Sequence, residues 1–204
     1  MSMAKPRRKE SDSLRRRGPK RDPFPRILIV CEGAVTEKEY FCYLHHAERI
    51  PIVLEIEAGG DPKKLVERAK SLQREARDSG DPFDQVWCVF DIDDHKRIAD
   101  AKQQARDNGI GLIVSNPCFD LWILLHYQDL TQHTHRHKVQ SLCRKHIPGY
   151  VKSPPCDKLL QLFPEAEKRA TALNKWHASR CTDGDNPSTN VHNLVAKIRS
   201  YHRY

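Results

Sequence analysis

Two short apolar runs that end abruptly in acids set the strongest limit on how this chain can fold. The first is Ile27-Leu28-Ile29-Val30-Cys31, followed by Glu32-Gly33 and then by Thr36-Glu37. The second is Val86-Trp87-Cys88-Val89-Phe90, followed by Asp91-Ile92-Asp93-Asp94. A continuous apolar run of this length reads as a strand buried on both faces, and such strands belong to parallel sheets covered by helices. Each strand then delivers carboxylates to the rim of the sheet, where open α/β sheets bind ligands. If the two strands are neighbours, Glu32, Asp91 and Asp93 converge there. Two carboxylates about 4 Å apart repel by roughly 1 kcal/mol in water and about 4 kcal/mol at an effective dielectric near 20. A cluster of them needs a cation, a shared proton or solvent, and magnesium or manganese suits an all-oxygen donor set.

The rest of the chain extends the alternation. Thr36 and Glu39 form a capping-box pattern that opens a helix running toward Ala47. Val53–Ile56 is a second strand, and Asp61-Pro62 is an N-cap followed by proline at the first helical position. A helix over 98–107 is closed by Asn108-Gly109. Ile110–Val114 makes a fourth strand, and Phe119–Tyr127 an apolar helix. From about Thr131 the strand signals stop, and 142–146, 159–175 and 191–201 read as helices. The expectation is an α/β fold: a mainly parallel sheet flanked by helices over 26–130, and a helical extension over 131–204 packed on it.

Charge is unevenly placed. The chain carries 35 Lys and Arg against 27 Asp and Glu, a formal +8. Residues 1–26 alone account for +7, leaving about +1 for everything after them. Residues 1–25 lack apolar periodicity and contain four prolines, so a disordered basic tail is expected there. Such an arm can hold nucleic-acid phosphate without specificity, or can be a solvated tail and nothing more. No apolar stretch reaches membrane-spanning length, and no apolar segment of a secretory signal follows the basic start. Seven cysteines without a C-x-x-C pair read as reduced thiols of a cytoplasmic protein.

Each candidate residue has a plain reading beside the chemical one. Glu32-Gly33 can be an ordinary strand-to-helix turn, or a ligand followed by a glycine that lets the backbone approach a phosphate. Asp91-x-Asp93 occurs in phosphatases, glycosyltransferases and simple turns, but its position behind a buried strand favours a metal site. Glu37 can ligate, or can simply face the positive end of its helix. Asp120 can cap the apolar helix or add a carboxylate to the same rim. Lys96 and Arg97 can steady a phosphate or be surface charges. His133-x-His135-x-His137 matches no common zinc spacing and reads as an exposed loop. No Walker loop, G-x-G-x-x-G or G-x-S-x-G is present.

Four ordered segments also resemble the RloB family of bacterial restriction and abortive-infection loci. They are Ile27–Phe41 with its Glu32-Gly33 and Glu37, Phe90–His95 with Asp91-Ile-Asp93, Ser115–His126 with Asp120, and Asn186-Pro-Ser-Thr-Asn-Val-His192. The resemblance covers nearly everything after the tail and implies a variant of the Toprim fold of topoisomerases, bacterial primases and OLD-type nucleases. It implies catalytic roles for Glu32, Asp91 and Asp93, with Mg²⁺ or Mn²⁺ held by those residues and by Glu37 and Asp120. Most relatives have Glu where this chain has the shorter Asp120. The activity implied is metal-dependent cleavage of RNA or DNA in anti-phage defence, regulated by an ATPase partner. Three rivals stand beside it: a non-catalytic sensor or adaptor of such a system, a phosphatase using D-x-D, and a strand-rejoining or primase-type Toprim enzyme. The phosphatase motif normally ends a first strand, whereas here it ends the third.

Overall fold

A computed structural model of the chain describes residues 24–59, 61–92 and 98–201. Residues 1–23 of the expected 1–25 tail, together with Asp93, Asp94, Lys96 and Arg97, lie outside the described residues.

The structure runs β1 (Ile27–Cys31), α1 (Thr36–Glu48), β2 (Ile52–Ile56), α2 (Pro62–Asp78), β3 (Gln85–Asp91), α3 (Ile98–Asp107), β4 (Gly111–Asn116), α4 (Asp120–Leu125) and α5 (Arg136–His146). It continues through α6 (Cys156–Gln161), α7 (Phe163–Ala178), β5 (Ser188–Thr189) and α8 (Val191–Ser200). The sheet order is β2-β1-β3-β4-β5. The first four strands pair in parallel, and β5 pairs antiparallel with β4 through Ser115↔Thr189 and Asn116↔Ser188.

The pleat of β1 sorts the interior into two cores. Leu28 and Val30 face one side and pack with Leu65, Val66 and Ala69 of α2 and Ala101 and Ala105 of α3. Ile27, Ile29 and Cys31 face the other side, against Tyr40, Phe41 and Leu44 of α1 and the helices of the C-terminal third. Trp122 anchors this larger core, with its ring edge-on to Tyr40, His126 and Phe163. The α/β part and the helical third therefore share one apolar interior.

Because β1 lies between β2 and β3, the connection β1–α1–β2 leaves in one direction and β2–α2–β3 returns in the other. Right-handed crossovers then place α1 and α2 on opposite faces, as the two cores require. They also open a crevice at the carboxyl ends of β1 and β3, the position where open α/β sheets take ligands.

Asp61 caps α2 as expected, its Oδ1 accepting from the Lys63 N–H at 3.0 Å. The start of α1 differs from expectation. Thr36 is the first helical residue rather than the cap, and its hydroxyl donates to the Lys152 carbonyl at 3.0 Å. The cap falls one residue before the expected one, at Val35, with the Glu39 N–H on the Val35 carbonyl at 2.9 Å, and Thr36 serves as a long-range tether. The second difference is β5, in a stretch with no strand signal. Two residues are too few for a periodic pattern, and side chains complete the pairing: the Asn190 Oδ1 accepts from the Val114 N–H at 2.6 Å while its Nδ2 donates to the Leu112 carbonyl at 3.0 Å.

Candidate functional site at the carboxyl rim of the sheet

Four of the acids singled out by sequence sit around this crevice, each delivered by a different element. Glu32 follows β1 directly, and its N–H donates to the Val89 carbonyl of β3 at 3.0 Å. Asp91 ends β3 in register with Ser115. Glu37 lies in the first turn of α1, and Asp120 opens α4.

Their side chains do not all leave in the same direction. Alternation along β1 turns Glu32 to the α2 side, where it borders a small crevice with Glu57, Asp61 and Lys64. Asp91 follows Val89 toward the opposite side and meets Arg136 of α5, with Oδ2 to guanidinium nitrogen at 3.7 Å. Among the described residues, no three His, Cys, Asp or Glu side chains form a group able to hold a metal ion. The D-x-D partner, Asp93, lies outside those residues.

Glu37 and Asp120 form the buried part of the site. Glu37 is 7 % exposed and Asp120 4 %. Burial pushes the Glu37 carboxyl from 4.5 up to about 7; the negative charges of Asp120 and Glu32 push the same way, while a bond from its own backbone N–H and the nearby Lys152 ammonium oppose them. Gly33 makes room for this carboxyl: a Cβ on residue 33 would lie 1.9 Å from the Glu37 Oε2. The requirement for glycine here is a close approach, by a neighbouring acid.

Asp120 does not cap its helix; Phe119 holds that position. Its carboxylate instead accepts from the Tyr150 hydroxyl and from the Gln140 Nε2, the latter at 3.1 Å. Proximity to Asp120 helps hold the Tyr150 hydroxyl protonated, after burial as the main cause. Cys118 links the two groups of acids, since after burial the charges of both Asp120 and Asp91 raise its thiol.

Arg136, Gln140, Tyr150 and Lys152 thus come from one segment that wraps the acidic rim, and sequence reasoning assigned none of them a role. The signal was a negative one: no acidic residue occurs between Leu130 and Asp157. Beside Asp91 this segment and the 183–187 turn enclose a cleft of about 680 Å³, lined by Ile92, Asn116, His133, His135, Arg136 and Asn186 among others. The histidines are exposed, as the sequence suggested, but His137 lies in α5 rather than in a loop, and the stretch before it is tied down. Asn186 accepts from the Thr134 N–H at 2.9 Å and donates to its carbonyl at 3.0 Å.

The fold is a mainly parallel α/β sheet with carboxylates placed around its switch-point crevice. The family described as RloB-like protein matches residues 27–198, and the chain belongs to that family. No match was found among curated proteins or among solved structures.

Proposed function

We propose that this chain is a metal-dependent nuclease with a Toprim-like active site, acting on RNA or DNA in anti-phage defence under the control of an ATPase partner. The observation that supports this reading best is the buried Glu37 carboxyl beside Asp120 at the rim that also carries Glu32 and Asp91. A carboxyl raised to about 7 by burial, with Asp120 and Glu32 adding to the shift, would be relieved by a divalent cation, and all-oxygen donors match Mg²⁺ or Mn²⁺. Asp91 and Asp93 would hold the ion, with Glu32, Glu37 and Asp120 completing the set. Bound there, the metal would polarise the scissile phosphate and acidify an attacking water. Gly33 lets the Glu37 carboxyl lie against the backbone at the rim, where the phosphate would approach. Lys96 and Arg97 follow the D-x-D closely enough in sequence to meet the phosphate.

One observation favours the second reading, a non-catalytic sensor or adaptor. Asp91 already has Arg136, and Asp120 already has Tyr150 and Gln140, so protein partners satisfy both acids without a metal. Incubation with labelled RNA and DNA in Mg²⁺ or Mn²⁺, with and without the proposed ATPase partner, separates the two. The nuclease reading expects cleavage that falls at least 100-fold in Asp91→Ala/Asp93→Ala protein. Cleavage equal in the variant, or none from the co-expressed complex, overturns it.

A further inference from the structure

We propose that the acid-free segment 131–156 is the nucleic-acid docking surface of this protein, with the exposed face of α5 as its phosphate track. The proposal rests on the reading of nucleic acid as substrate and adds where the polyanion lies.

Charge bookkeeping along the chain motivates it. Residues 27–130, which form the sheet and its first helices, carry a formal −7, whereas residues 131–156 carry +5 with no acid at all. The part that holds the candidate site is therefore repulsive to a phosphodiester backbone, and affinity for one has to come from elsewhere. The segment lies directly against the acids, with Arg136 on Asp91 and the Lys152 backbone tied to Thr36 beside Glu37.

The shape of α5 directs the charge outward. Val139 and Cys143 are buried, and Cys143 Sγ contacts the Asp120 carbonyl at 3.5 Å. Lys138, Ser141, Arg144 and Lys145, at successive turns, are all exposed and share one face. Lys138, Arg144 and Lys145 form no ion pair among the described residues. Arg136 pairs with Asp91 and the Lys152 ammonium lies near Glu37, whereas these three cations face outward. From Lys138 to Lys145 the face runs about 10 Å along the axis, at 1.5 Å per residue. Its N-terminal end opens at the 680 Å³ cleft of His133, His135 and Arg136 beside Asp91. A backbone laid along α5 would enter this cleft and present one phosphate to the Asp91 rim.

The test is fluorescence anisotropy with 20-nucleotide RNA, single-stranded DNA and duplex DNA in EDTA, so that binding is read without metal or cleavage. Full-length wild type is compared with Lys138→Glu/Arg144→Glu/Lys145→Glu and with a charge-matched control, Arg77→Glu/Lys168→Glu/Lys175→Glu, whose side chains are also exposed. The α5 variant is expected to lose at least 10-fold in affinity for whichever nucleic acid the wild type binds, with a log–log salt slope shallower by about 2–3. The control should change less than 3-fold. The glutamine version of the α5 variant, expected to lose at least 3-fold, covers the case in which charge reversal impairs folding. Equal affinity of wild type and both α5 variants, or equal losses in the α5 variant and the control, overturns the proposal. Binding that behaves as expected in EDTA while no cleavage occurs in Mg²⁺ overturns the nuclease reading alone.

Discussion

Glu37 shows how the sequence position of a side chain can conceal its surroundings. In the sequence it is an acid in a first helical turn, favourably placed at the helix dipole. In the structure it is buried over Gly33 and beside Asp120, with its carboxyl pushed up to about 7. Between pH 4.5 and 7 the folded state keeps a proton there that the unfolded chain has shed, so this group makes stability fall as pH rises through that window. Buried His126 has the opposite effect. Its imidazole is lowered to about 4 by burial, so its contribution to stability is lost as pH falls from 6.5 toward 4. Comparing wild type with Glu37→Gln isolates the first group. In metal-free urea melts the variant should gain on wild type as pH is raised from 5 to 8. A stability difference that does not change with pH would show that the carboxyl is ionised across the range.

At the scale of elements, strands and helices with long apolar or capped patterns were legible, and the pieces held by side chains were not. β1, β3, α2 and α3 follow from hydrophobic runs and from cap and stop residues, and α3 spans the expected 98–107. The Thr36-x-x-Glu39 pattern failed because the helix starts one residue earlier, with Val35 as the cap and the Glu39 N–H bonded to the Val35 carbonyl, which leaves the Thr36 hydroxyl to donate to the Lys152 carbonyl. β5 went unseen because it is only two residues long, and the Asn190 side chain joins its backbone N–H in extending the pairing to β4. Asn190→Ala would strand the Val114 N–H and the Leu112 carbonyl, at a cost of about 2 kcal/mol. For a chain of this size that corresponds to a thermal midpoint lower by roughly 4–8 °C. Asn190→Asp keeps the acceptor for Val114 and should lose about half as much; equal midpoints for all three proteins would show that the clamp carries no stability.

At the scale of the whole molecule, the sequence placed the acids at one sheet rim, and the structure adds what surrounds them. Adjacency of β1 and β3 follows from strand order, which no local pattern encodes. The segment from Thr131 looked like a helical extension with a loose histidine loop. Folded, it supplies Arg136 to Asp91, Gln140 and Tyr150 to Asp120, and Lys152 to the neighbourhood of Glu37. These contacts were beyond reach because they depend on the fold-back of α5 onto α4, whose only local trace is the absence of acids. Among the described residues no helix is long and apolar enough to cross a membrane. All seven cysteines are free thiols, five of them buried.

Calorimetric titration of Mn²⁺ into the full-length protein tests most directly whether the rim acids bind a divalent ion. Saturable binding that disappears in Asp91→Ala/Asp93→Ala protein, with the fold intact by circular dichroism, is the predicted result. Identical isotherms for wild type and variant, or no binding by either at millimolar Mn²⁺, would contradict it.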